Sequence, residues 1–183
     1  MLVYSMSASA DGFVTDRAGG IDWATPSDDL VAAQHEHVAG LGAYLLGRRL
    51  HETMLPWETD AAMRATAAGA AFADTWAALP KIVFSRTLDG VEGTARLARG
   101  SLAEEIAAAL AGTSRDVSIG GADLAGQAIR LGLVDEFRIT RDPSVVGGGT
   151  PYFPPLDRPL PLSLVEARTF ASGAVIERYR LTR

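Results

Sequence analysis

Apolar positions along this chain fall into short runs that switch between strand-like and helix-like spacing, and the switching lays out an α/β order. Residues 2–7 form a short apolar strand that ends at the turn chemistry of Asp11-Gly12. A glycine-containing loop at 16–22 leads through Trp23 to Pro26-Ser27-Asp28-Asp29. There Ser27 or Asp28 can cap a helix reaching Gly40. Residues 43–46 are a continuous apolar run, the pattern of a strand buried on both faces. It stops at Gly47, and Arg48-Arg49 open a short helix through Met54. The next strand covers 81–85, a weaker one 94–98, and a helix 102–110.

A β-branched run at Val117-Ser118-Ile119 then ends in Gly120-Gly121, and an Ala/Leu/Ile-rich helix begins at once. It runs to Leu131 and stops at Gly132. Residues 137–140 start the last part, and 162–169 and 174–181 alternate around Ser172-Gly173 as a hairpin. The proline-rich stretch 151–161 reads as a surface connection, and neither repeats nor linkers divide the chain. The expectation is one domain over 1–183. It is a three-layer α/β unit with a mostly parallel central sheet, helices on both faces and a C-terminal antiparallel hairpin.

Composition narrows the chemistry. With 183 residues and 48% hydrophobic content the chain can bury one sizeable core. It has no cysteine, which removes disulfides, thiolate zinc sites and cysteine nucleophiles. Lys81 is the only lysine, so Schiff-base and P-loop mechanisms are not expected. A net charge of -5 argues against nucleic acid as the main partner. No apolar run approaches the about 20 residues of a membrane helix, and no basic segment precedes the first strand as in a signal peptide. A cytoplasmic protein without membrane partners is the expectation.

In open α/β sheets ligands lie beyond the carboxyl ends of the parallel strands. Those ends carry Asp11-Gly12, Gly47-Arg48-Arg49, Ser85-Arg86-Thr87 and Gly120-Gly121-Ala122. Paired glycines between strand and helix serve a tight turn, or else let a ligand approach where a Cβ would collide. The helix start beyond them offers free N–H groups and partial positive charge, which suit a phosphate. Arginine forks pair with phosphate oxygens, and Ser85 or Thr87 can add a neutral donor. Three arginines at strand ends are a local exception on an acidic protein.

Other candidates carry less. His35 and His37 are two apart on a helix and do not share a face as a metal pair would, so no metal is expected. His51 reads as a surface residue, Glu104 and Glu105 as first-turn acids of a helix, and Trp57 and Trp76 as core or interface aromatics. Asp11-Gly12 suits a turn, and Asp28 and Asp29 suit helix capping.

The chain resembles the dihydrofolate reductase-like superfamily. It is most similar to the branch of the C-terminal reductase domain of the bacterial riboflavin-biosynthesis bifunctional deaminase-reductase. The matching pieces run in family order: Ser9-Ala10-Asp11-Gly12-Phe13, Leu46-Gly47-Arg48-Arg49 with Glu52-Thr53-Met54 and Trp57, and 80–88. Gly120-Gly121-Ala122-Asp123-Leu124, Gly132-Leu133-Val134-Asp135-Glu136 and Val146-Gly147-Gly148-Gly149 with Phe153 complete the set.

The resemblance implies a dihydrofolate reductase-like fold, NADPH as cofactor, a small heterocyclic substrate and a homodimer. It sets the backbone N–H groups of Gly120, Gly121 and Ala122, continuing into Asp123 and Leu124, against the pyrophosphate. It brackets the adenosine 2′-phosphate with Arg48, Ser85 and Arg86 beyond Gly47, while Arg49, adjacent on the helix, points another way. Leu50 departs from the family, where a threonine hydroxyl often assists the pyrophosphate.

The activity implied is reduction of a C=N or carbonyl carbon, most like 5-amino-6-(5-phosphoribosylamino)uracil reductase. Dihydrofolate reductase is the alternative, and a non-catalytic NADPH-binding protein is an alternative of another class. For catalysis the resemblance offers Asp11 near the nicotinamide, or Asp28 or Asp29 in place of the carboxylate that polarises a pteridine.

Overall fold

The computed structural model describes residues 1–182. Ten strands and six helices follow in chain order. They are β1 Leu2–Ser9, β2 Phe13–Thr15, α1 Asp28–Ala39, β3 Leu41–Gly47, α2 Arg48–Met54, α3 Pro56–Thr59, α4 Ala67–Ala78 and β4 Lys81–Phe84. Then come β5 Arg96–Leu97, α5 Leu102–Ala111, β6 Asp116–Gly120, α6 Ala122–Arg130, β7 Glu136–Asp142, β8 Thr150–Pro151, β9 Leu162–Thr169 and β10 Val175–Leu181. Eight strands form one sheet in the order β5-β4-β3-β6-β1-β7-β10-β9, and β2 pairs with β8 apart from it. Every neighbouring pair in the large sheet is parallel except those of β10, which runs against both β7 and β9. The three-layer, mostly parallel architecture with its C-terminal hairpin is therefore the one the sequence pattern implies.

Alternation along β3 shows why both faces need cover. Ala43 and Leu45 join the core beneath α5 and α6, where Ile106, Ala125 and Ile129 are buried. Tyr44 and Leu46 face the opposite way and pack in the cluster of Trp76 from α4. A smaller cluster joins Leu30 and Ala33 of α1 to Phe170 and Ile176 of the hairpin. Strand β9 is the far edge, and Leu164 and Val165 on it are exposed.

Two elements depart from the sequence expectations. Residues 56–78 carry α3, a 3-10 turn at Ala61–Arg64 and α4, a helical stretch that the apolar pattern leaves unassigned. Thr66 caps α4 by accepting from the Gly69 N–H at 3.0 Å. The alanines around that helix blur any apolar period, although alanine is the best helix former. His51 is buried at 4% exposure rather than lying on the surface, because α2 turns it inward beside the Lys81 region. Its pKa is lowered, by burial first.

Lys81 is itself buried and ion-paired with Glu58 at 3.2 Å. Its ammonium also donates to the carbonyls of Trp76 and Leu79. The lone lysine thus joins α3, α4 and β4 and is structural. No helix among the described residues is long and apolar enough to cross a membrane.

Candidate functional site

Parallel pairing brings the carboxyl ends of β1, β3, β4, β6 and β7 to one edge of the sheet. Leu46 lies opposite Gly120, and Gly47 opposite Phe84. The register therefore places Gly47-Arg48, Gly120-Gly121 and Ser85-Arg86 side by side. Two helices start here, α2 after Gly47 and α6 after Gly121. Gly121 adopts φ +89°, a region that only glycine occupies without strain, and no side chain caps α6. The first bond of that helix runs from the Ala125 N–H to the Gly121 carbonyl at 2.9 Å. The N–H groups of Ala122, Asp123 and Leu124 lie ahead of it, where helix starts present donors to anions.

Gly47 and Gly121 also leave a strip of backbone bare, whereas the space beside Gly120 is filled by side chains. A Cβ on Gly121 would lie 3.7 Å from the Gly47 nitrogen and 3.8 Å from its Cα. A Cβ on Gly120 would meet Leu50 Cδ2 at 2.5 Å and Tyr44 Oη at 2.8 Å. Around this strip Arg48, Arg49 and Arg86 are exposed. Arg48 is paired with Glu52 at 3.0 Å. The Ser85 hydroxyl accepts from the N–H groups of Thr87 and Leu88, each at 3.1 Å, which fixes the bend that carries Arg86. Helix α2 opens with two arginines and no acid, against the usual dipole preference. Asp123 is exposed on the first turn of α6, whereas the Leu124 side chain is buried in the core, which leaves its backbone for a ligand.

A cavity adjoins the strip. Strand β6 stays beside β1 as far as Tyr4↔Ile119, while β1 continues along β7 to Ser9↔Asp142. Past the parting lies a largely apolar space of about 270 Å³. Trp23, Tyr44, Phe72 and Trp76 give it aromatic walls, and Ser5, Ser7 and Thr140 bring hydroxyls from β1 and β7. Gln34 and His37 reach it from α1, and Arg138 from β7. Leu50 and Tyr44 fill the space beside Gly120 and also line the cavity, so the two lie on either side of these side chains. Among the described residues, no carboxylate lines this space.

The three aspartates singled out in the sequence have local partners. Asp11 accepts from the Ser9 hydroxyl at 2.7 Å and from the N–H groups of Val146 at 3.2 Å and Gly147 at 2.8 Å. These bonds, that from Ser9 foremost, hold its carboxyl below the usual range. Arg17 donates to the Gly147 carbonyl at 2.7 Å from the other side. Asp11 therefore holds the glycine segment 147–149 against the turn after β1.

Asp29 accepts from the Ser27 hydroxyl at 2.5 Å and the Ala171 N–H at 3.1 Å, and it too is held low, by Ser27 first. Ser27 accepts in turn from the Ser172 N–H at 3.2 Å. The first turn of α1 is thereby tied to the β9–β10 turn. Neither Asp28 nor Asp29 lines the cavity, because the cavity meets α1 farther along, at Gln34 and His37.

Sequence reasoning thus finds the glycine and arginine ends but not the cavity wall. Gln34, His37 and Arg138 have no motif; Arg138 is one of four charged residues of β7, and His37 stands out only as a helix histidine without a metal partner.

The model of the RibD C-terminal domain family matches residues 1–176. The Bacillus subtilis (strain 168) protein YyaP, itself uncharacterized, is 28% identical over 181 residues, covering 95% of this chain and 91% of that protein. Among solved structures, a Shewanella sp. PV-4 protein ascribed to riboflavin biosynthesis superposes with a TM-score of 0.78 at 23% identity, covering 100% of this chain and 98% of that one. The Thermotoga maritima diaminohydroxyphosphoribosylaminopyrimidine deaminase/5-amino-6-(5-phosphoribosylamino)uracil reductase gives 0.68 at 14% identity, with all of this chain covering 56% of that one. Dihydrofolate reductase from Enterococcus faecalis, complexed with NADP(H), gives 0.66 at 19% identity, covering 100% and 97%. At these identities the structural likenesses establish the fold.

Proposed function

Because the chain belongs to the RibD C-terminal domain family, we propose that it is an NADPH-dependent reductase acting on a C=N or carbonyl carbon of a small heterocyclic substrate. The observation that carries this reading is the side-chain-free strip between Gly47 and Gly121, which lies beside an apolar cavity. A pyrophosphate suits such a strip, because Gly121 adds no side chain there and a helix start supplies its donors.

In this reading Gly120, Gly121 and Ala122 seat the pyrophosphate by their backbones, with the N–H groups of Asp123 and Leu124 behind them. Arg48, Ser85 and Arg86 hold the adenosine 2′-phosphate, and Arg49 adds positive potential at the rim. When bound, NADPH supplies the hydride. The chain's own part is to fix the reacting faces and exclude water. Trp23, Phe72 and Trp76 give a largely apolar, aromatic-walled space, and Leu50 with Tyr44 stands between it and the strip. Asp11 acts as a positioning residue that holds the glycine segment against the turn after β1.

The Thermotoga protein's named pyrimidine is a precedent for the ring alone, the acidic group that the substrate carries being a separate question. Dihydrofolate is less well suited, since no carboxylate among the described residues faces the cavity to polarise a pteridine. A homodimer is the assembly we expect, and the exposed edge strand β9 offers it a surface. The test is NADPH consumption, followed by absorbance, with 5-amino-6-(5-phosphoribosylamino)uracil, dihydrofolate and a panel of small C=N and carbonyl heterocycles. Turnover with any of them supports the reading. Tight NADPH binding without turnover across the panel would instead favour a cofactor-binding protein without catalysis.

A further inference from the structure

Arg138 projects from β7 opposite Ser5 of β1 on one side and Arg178 of β10 on the other. The carboxylates nearest to it are already engaged. Arg178 donates to Glu136 at 2.9 and 3.2 Å and to Glu166 at 2.8 Å, and Arg180 donates to Glu136 at 3.1 Å. The Arg138 guanidinium has no hydrogen bond and no ion pair among the described residues. Burial, and then the charge of Arg178, lower its pKa from the ordinary arginine value. Two arginines directly opposite each other, one of them unpaired and half-buried, work against folding.

The same place holds a second unmet group. His37 Nε2 is buried without a hydrogen-bond partner. His37 and Arg138 both line the apolar cavity, and both also line a polar cavity of about 300 Å³ beside it. They stand where the apolar walls give way to polar ones, at the end of the space that a flat ring would fill.

We propose that Arg138 seats a single carboxylate carried by the heterocyclic substrate, with His37 as the second hydrogen-bonding group. The assignment of the cavity to a substrate rests on the reductase reading; the anion seat itself rests on Arg138. One negative charge is favoured over two, because Glu36, Glu136 and Glu166 also act on Arg138 electrostatically. A phosphate dianion would meet twice the repulsion that a single charge meets, and Arg168, the other guanidinium of the polar cavity without an ion pair among the described residues, lies over the Phe170 ring. A carboxylate takes the planar fork by two bonds and adds one charge only.

The test uses the full-length, NADPH-free protein and three two-ring probes of one shape: quinoxaline-2-carboxylate, its neutral 2-carboxamide and its 2-phosphonate. Binding is measured by calorimetry on wild type, Arg138→Met and Arg138→Lys. The expected result is that wild type binds the carboxylate about tenfold or more tighter than either other probe. Arg138→Met should bind carboxylate and carboxamide equally, with Arg138→Lys in between. Arg138→Met should also melt at a higher temperature than wild type, since it removes a half-buried guanidinium without an ion pair that faces Arg178 and leaves Glu136 and Glu166 with their arginines.

A carboxylate bound no tighter than the carboxamide, a preference that survives in Arg138→Met, or a preferred phosphonate would each overturn the proposal. NADPH binding is titrated separately. Its loss with the carboxylate preference intact would sink the reductase reading, whereas its presence with no preference would sink the anion seat alone.

Discussion

Tyr4 and Tyr152 exchange hydrogen bonds across the core: each hydroxyl donates to the other's backbone carbonyl, at 3.2 and 3.0 Å, with the rings stacked 4.2 Å apart. Both residues are buried. Tyr4 lies midway along β1, and Tyr152 follows β8, where its N–H donates to the Gly12 carbonyl at 2.9 Å. The glycine segment 147–149 is thus held before it by Asp11 and after it by the tyrosine pair. The place of that segment is set by bonds to β1 and the turn after it rather than by loop composition.

Tyr152→Phe keeps the stacked ring and removes one buried donor. The expected loss is about 1–2 kcal/mol of unfolding free energy, read from urea denaturation. An unchanged midpoint would show that the exchanged bonds contribute nothing.

The buried Lys81–Glu58 pair invites a second measurement. Lys81→Met leaves Glu58 buried and unpaired and should cost about 3–5 kcal/mol. Adding Glu58→Leu should recover part of that loss, although the bond that Glu58 accepts from the Thr94 N–H disappears as well. A double variant as unstable as the single would contradict the pairing.

The reach of the sequence is visible in these two pairs. Strand and helix order could be read because period-two and period-3.6 runs are bounded by glycines, as at Gly47 and Gly120-Gly121. The carboxyl-edge arrangement followed from parallel topology, and the structure places Arg48 and Ser85-Arg86 just past the ends of the adjacent strands β3 and β4. Residues 67–78 stayed unassigned because alanines surround that helix without a period. His51 and Lys81 carry surface chemistry in composition but are buried by packing between elements distant in sequence. The cavity wall was likewise invisible: Gln34, His37 and Arg138 meet only after α1 crosses the face of β7. The roles expected of Asp28 and Asp29 depended on which turn of α1 meets the cavity, and local sequence holds no information on that.

His37 should give the fold a pH dependence. Burial, then the charges of Arg138 and Arg178, lower its pKa from 6.5 to about 4. The unfolded chain therefore binds a proton that the folded one refuses over that interval. The contribution is fully present above pH 6.5 and lost as pH falls toward about 4. The difference in stability between wild type and His37→Gln, followed through that window by urea denaturation, should change with pH. A flat difference would show that His37 titrates normally.

Gly121→Val probes the bare strip. A β-branched residue at φ +89° is strained by about 1–2 kcal/mol, and its Cβ enters the space beside Gly47. The protein should remain folded with a lower melting temperature, while NADPH affinity falls by about tenfold or more. Retained NADPH affinity, measured by thermal shift, would remove the strip from the cofactor's path.

The central claim is a phosphate-reading cofactor site at the ends of β3, β4 and β6. It is tested most directly by the dissociation constants of NADPH and NADH for wild type, Arg48→Ala and Arg86→Ala. The account predicts NADPH tighter than NADH by about tenfold or more in wild type. Each variant should lose NADPH affinity while NADH stays nearly constant, with Arg86→Ala losing more because Glu52 already neutralises part of Arg48. Equal affinities in wild type, or equal losses of both cofactors in the variants, would contradict it.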